Sequence, residues 1–161
     1  METQESVSPI ISKRLLETAI AIARPTCEEL LTRGGTCWGP HWVEGVVLFR
    51  DIEMQFSYGE REGWKKAWGD KVSFKEIARK KAEAAHREGR SSRELANFAP
   101  QLFLPGEYLY IGAVSQDGLT VATSGAKSET DEGISKIVLD TIMTFVHLVV
   151  QERLENDYPQ L

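Results

Sequence analysis

Two cysteines in 161 residues, Cys27 and Cys37, supply no disulfide framework, and they are read as free thiols of a reducing compartment. Histidine is scarcer than the metal-site patterns require. His41, His86 and His147 stand far apart, with no HxH or HExxH spacing, so no metal site is expected. No uninterrupted apolar run approaches the roughly 20 residues that cross a bilayer. The opening METQESVSP lacks the basic and apolar regions of a secretory signal, and residues 1–8 are expected to be a disordered tail. These absences point to a cytoplasmic protein without membrane contact. Positive charge is also short overall: the formal net charge is −5. That argues against nucleic acid as a partner, because phosphate contacts dominate such affinity. There is no internal repeat, no low-complexity tract and no linker.

What is present is ordinary globular composition, 42% hydrophobic and 27% charged, in a length that suits one domain spanning 1–161. Lys and Arg outnumber acids between Arg61 and Arg93, leaving the remainder acidic, an asymmetry able to attract an anion or a second subunit.

Periodicity gives the elements. Ser8-Pro9 starts a helix that carries Leu15, Leu16, Ala19, Ile20, Ala23, Cys27, Leu30 and Leu31 at helical spacing. Pro25 should kink it or begin a second helix, and Gly34-Gly35 ends it. Val46 to Phe49, a turn at Arg50-Asp51, and alternating Ile52, Met54, Phe56 and Tyr58 predict a hairpin. Ser73 with Glu76 is a capping box for a helix with Phe74, Ile77, Ala78, Ala82 and Ala85 on its buried stripe, ending at Gly89. Ser91 starts a short helix through Phe98. Tyr108 to Val114 and Leu119 to Thr123 flank Asp117-Gly118, a strong hairpin signal. Ser128, with Asp131 three residues on, caps a last helix with a broad apolar face. The order α-β-β-α-α-β-β-α predicts an α+β domain, an antiparallel sheet covered by helices.

Two blocks carry a resemblance. Ile77 to Ala96, IARKKAEAAHREGRSSRELA, and Gly106 to Val138, GEYLYIGAVSQDGLTVATSGAKSETDEGISKIV, resemble the GlcG/HbpS superfamily of haem-binding or haem-degrading-like domains, which includes the PduO C-terminal domain. The resemblance covers about a third of the chain by motif and nearly all of it by element order. The Ser91-Ser92 pair is closer to an uncharacterised cytosolic branch. The resemblance implies a profilin-like sheet, homo-oligomers, and haem or a small organic molecule as ligand. Many relatives carry Gly-Gly-x-Pro in the third strand; here the region reads Tyr110-Ile111-Gly112-Ala113-Val114.

The candidate chemistry follows. The SGAKS loop offers Ser124, Gly125, Lys127 and Ser128 at a strand-to-helix junction, where unpaired amides and a positive dipole end suit an anion. It is not a Walker loop. Arg79 and Lys80 on the basic helix are the candidate clamp for a carboxylate or phosphate, against the simpler reading of a solvated face with Glu76–Lys80 and Glu83–Arg87 pairs. His86 is the candidate acid-base group or haem ligand, with Tyr110 as a second acid-base group; a helix-end histidine serves otherwise as a cap. His41 lies in CWGPHW, whose indoles suit a planar ligand or an interface. His147 reads as a packed or interface histidine. Three functions remain open: an oligomeric binding protein for a compact organic anion or haem, a small cofactor-independent enzyme acting on an organic acid, and a scaffold using its tryptophan loops.

Overall fold

A computed structural model describes residues 9–35, 42–60 and 73–156. His41, Cys37, Trp38, Trp64, Trp68 and the expected tail at 1–8 lie outside the described residues. The elements are α1 (Lys13–Leu30), β1 (Trp42–Phe49), β2 (Ile52–Gly59), α2 (Phe74–Glu88), α3 (Ser92–Phe98), β3 (Ala113–Gln116), β4 (Leu119–Ser124) and α4 (Ser128–Glu155). Their order is the expected one.

The four strands form one antiparallel sheet in the order β2-β1-β4-β3. Side chains alternate between its faces, so each strand feeds two cores. Val43, Val47, Tyr58, Val114 and Val121 pack against α1 and α4. Val46, Ala113 and Ala122 face the alanine stripe of α2, Ala78, Ala82 and Ala85. Small residues on both sides of that second interface let the helix sit close to the sheet. Tyr58 is fully buried, yet its hydroxyl donates to the Ile20 carbonyl at 2.7 Å, so its polar atom is satisfied. Burying a large apolar side chain of this kind contributes about 2 kcal/mol.

Local signals explain the helix ends. Ser73 accepts from the Glu76 amide and Ser91 from the Glu94 amide, both at 3.2 Å. Gly89 closes α2 in the left-handed conformation, φ 65°. Asp117 and Gly118 both take positive φ, 52° and 82°, as a two-residue hairpin of matching twist requires.

Four expectations need correction. The first helix starts at Lys13, where the Ser12 hydroxyl accepts the Leu15 amide; the expected cap Ser8 lies outside the described residues. Pro25 does not begin a second helix: the helix runs through it to Leu30. Ala21, whose carbonyl loses its donor at Pro25, is exposed and open to water. Ser128 is not the cap of α4; Lys127 holds that position without a side-chain hydrogen bond. The third strand begins at Ala113, not Tyr108, for a reason that lies in the site below.

Candidate functional site

β3 leaves the sheet at Gly112 because other groups take over its hydrogen bonds. The Thr123 amide still donates to the Gly112 carbonyl, at 3.3 Å. The Thr123 carbonyl instead accepts from the Lys81 ammonium at 3.0 Å. The Gly112 and Ala113 amides both donate to the Ser92 hydroxyl at 3.0 Å. Gly112 has φ 144°, and a Cβ there would lie 2.8 Å from both the Lys81 ammonium and the Thr123 carbonyl. Only glycine fits.

Lys81 also meets the Asp131 carboxylate at 3.1 Å, with both side chains almost wholly buried. This pair joins α2 on one face of the sheet to α4 on the other, around the end of β4. The second Asp131 oxygen accepts from the Ala126 amide at 3.0 Å. Thr123 and Ser135 complete the network: Thr123 donates to the Asp131 carbonyl at 2.7 Å, and Ser135 to the Gly112 carbonyl at 2.6 Å. Burial pushes the Asp131 carboxyl up to about 6, against the opposing pull of Lys81 and the loop amides. Burial likewise lowers the Lys81 ammonium. Both shifts express one cost, the desolvation of two charges, which their mutual attraction and hydrogen bonds offset only in part.

The SGAKS loop is therefore held by the chain's own anion. Gly125 is wedged at φ 132°, where a Cβ would lie 2.6 Å from the Trp42 carbonyl and 3.1 Å from the Phe74 ring. Ser124 is buried in register with Glu44. Lys127 is exposed and Ser128 half-buried at the start of α4.

The two clamp candidates diverge. Arg79 reaches Glu53 on β2 at 2.8 Å and Glu83 at 3.8 Å, towards one edge of the sheet. Lys80 points to the opposite edge, donating to the Gly106 carbonyl at 3.1 Å and lying 5.6 Å from the Tyr108 ring centroid. The expected Glu76–Lys80 and Glu83–Arg87 pairs do not form among the described residues. Arg87 instead binds Glu107, Glu88 and the Leu102 carbonyl. Its hydrogen bond holds the Glu107 carboxyl below its ordinary value. Lys80 and Arg87 thus pin residues 99–112 as a strap along α2. The strap shows its apolar side to solvent: with the end of α3, it exposes Phe98 at 81%, Leu104 at 54%, Leu109 at 59% and Tyr110 at 56%. The Tyr108 and Tyr110 rings stack at 5.6 Å.

His86 is half-buried and engaged with the sheet, its Nδ1 2.9 Å from the Thr120 hydroxyl, which is 2.9 Å from that of Ser115. It does not cap α2, and no hydrogen bond or ring contact joins it to Tyr110. His147 is exposed rather than packed. Among the described residues no group of three or more His, Cys, Asp or Glu could hold a metal ion.

No family model matches the chain. No curated protein matches it either. Among solved structures, the Klebsiella pneumoniae protein ORFY, of the DUF336 family, is similar with a TM-score of 0.53 and 15% sequence identity, covering 89% of this chain and 98% of that one. The two share a fold. At that identity the likeness is one of architecture, a four-stranded antiparallel sheet between helices, and it carries no ligand with it.

Lys81 and Asp131 are the residues that sequence reasoning missed. The signal was present: Lys81 stands three residues after Ala78 and four before Ala85, on the helix's buried stripe. A lysine at such a position calls for a buried acid.

Proposed function

We propose that the protein is a small-molecule-binding protein whose ligand is a flat, largely apolar acid of the haem class, received on the strap. The carrying observation is the exposure of Phe98, Leu104, Leu109 and Tyr110 within one short segment that the Lys80 ammonium contacts at Gly106 and Tyr108. Exposed apolar side chains gathered in one short segment mark a binding surface more often than scattered ones do. A porphyrin would lie against the apolar and aromatic faces with a carboxylate towards Lys80. His86 is committed to Thr120, so the strap's own candidate for an iron is the Tyr110 phenol.

A compact organic anion is the second reading. The first turn of α4 has no side-chain cap and begins beside the exposed Lys127, which favours it. Asp131 already occupies the Ala126 amide, which weighs against it. The enzyme reading rests on His86 alone, since no contact brings Tyr110 to it.

We infer a homo-oligomer as well. In α4 an 18-residue window of mean hydropathy 1.6 is only 28% buried within the chain, long and apolar enough by length and composition to cross a membrane. Ile134, Val138 and Ile142 are nevertheless buried against the sheet, which supports a core helix with a free outer face. Leu148 and Leu154 are exposed on it.

A haem titration followed by absorbance and native mass spectrometry tests the reading. It predicts a saturable Soret change at one haem per subunit or per dimer, with masses above the monomer. A change no greater than that of a non-binding control protein sinks the haem reading. Organic acids that then bind wild type but not Lys127→Ala would establish the compact anion in its place.

A further inference from the structure

At the opposite end of β4 from the strap and the Lys81–Asp131 pair, the structure holds a cavity of about 480 Å³. Its walls are Ile10, Ile11, Phe49, Leu119, Met143 and Val146, contributed by the segment before α1, by β1 and β4, and by α4. The volume lies within the roughly 300–1,000 Å³ of small-molecule sites, whose usual form is apolar walls with a few placed polar groups.

The lining is completed by Pro9 and by two charged residues, Arg50 and Asp117. They come together because Phe49 and Leu119 are register partners, so the β1–β2 and β3–β4 turns share one end of the sheet. Both side chains belong to exposed residues, at the cavity's open edge. The Arg50 guanidinium lies 5.2 Å from the centroid of the Phe49 ring, over one wall. Charged hairpin tips are ordinarily just solvated. These two differ in that they share an apolar cavity and that neither forms an ion pair with any described residue. Arg50 also keeps φ 51°, a conformation uncommon for a residue that is neither glycine nor asparagine.

One cation, one anion and an apolar chamber between them match a single chemistry. We propose that this cavity binds a free α-amino acid with a bulky apolar side chain, its carboxylate on Arg50, its ammonium on Asp117 and its side chain among Phe49, Leu119, Met143 and Val146. A simple carboxylic acid would leave Asp117 facing a like charge, and a simple amine would do the same at Arg50. Opposed charges at the mouth thus select the zwitterion over either half.

The test is calorimetric titration of the full chain with L-leucine, L-methionine and L-phenylalanine, beside 4-methylpentanoate and 3-methylbutylamine. At least one amino acid should bind saturably, and each half-ligand at least about ten-fold more weakly, the equivalent of about 1.4 kcal/mol. Arg50→Asn and Asp117→Asn should each weaken the amino acid by a similar factor. Asparagine tolerates positive φ, so both turns keep their geometry, which circular dichroism verifies. Val146→Phe, which fills the chamber, should abolish binding while leaving haem titration at the strap unchanged. Three results overturn the proposal: no saturable binding of any of the three amino acids up to about 10 mM, equal affinity for the half-ligands, or full affinity in both turn variants.

Discussion

Replacing Lys81 with methionine keeps an unbranched side chain, one atom shorter, and removes its charge. Asp131 then stays buried with only loop amides, and the Thr123 carbonyl loses its donor. Removing one member of a buried pair costs about 3–5 kcal/mol, because the remaining charge is uncompensated. For a domain of this size about 2–4 °C of Tm accompanies each kcal/mol, so Lys81→Met should melt about 6–20 °C below wild type. Adding Asp131→Asn removes the stranded charge and keeps an acceptor for the Ala126 amide. The double variant should recover about 2 kcal/mol of the loss, and Asp131→Asn alone completes the double-mutant cycle from which the coupling term is taken. The pH dependence has a definite sign. Asp131 ordinarily titrates at 3.8 and does so at about 6 when folded. Between those values the folded protein keeps a proton that the unfolded chain has released, so this group's contribution is full below about pH 4 and declines as pH rises to about 6. Urea melts at several pH values read both effects, and Asp131→Asn should flatten that slope. A Lys81→Met loss below about 1 kcal/mol, or a double variant no more stable than the single one, would refute the reasoning.

Three further outcomes follow from the same geometry. Gly112→Ala forces a Cβ to within 2.8 Å of a carbonyl and an ammonium at φ 144°, and should cost more than about 2 kcal/mol in a denaturant melt. Ser92→Ala strands the Gly112 and Ala113 amides and should cost about 1–3 kcal/mol, with faster hydrogen exchange confined to the strap and the start of β3. The Cys27 thiol, fully buried and pushed up to about 12 by that burial, should resist alkylation at pH 8 until the chain unfolds, as peptide mapping would show.

The fold was legible because its signals are local. Ser73 with Glu76, Gly89, Ser91 and Asp117-Gly118 each fix an element boundary through one hydrogen bond or one positive φ. The alanine stripe of α2 and the alternation of β2 place two layers. The boundaries that failed depend on partners distant in sequence. β3 begins only at Ala113 because Lys81 and Ser92 replace its ladder at Gly112, and neither replacement shows in the Tyr108 to Val114 pattern. Ser128 matched a capping box, but Asp131 reaches back to the Ala126 amide instead. The site was read less well for the same reason. Arg79 and Lys80 adjoin in sequence, yet they serve opposite edges of the sheet. Lys81 was lost within a run of basic residues whose solvated members resemble it. The exposure of Leu104, Leu109 and Tyr110 depends on how Lys80 and Arg87 pin the strap, which no periodicity encodes.

The most direct measurement compares haem affinity for wild type with that of a Leu109→Ser/Tyr110→Ser variant, both exposed positions that leave the buried network intact. The account predicts saturable binding to wild type and at least about ten-fold weaker binding to the variant. Equal affinity for the two, or no Soret change above a non-binding control in wild type, would contradict the assignment of the strap as the ligand face.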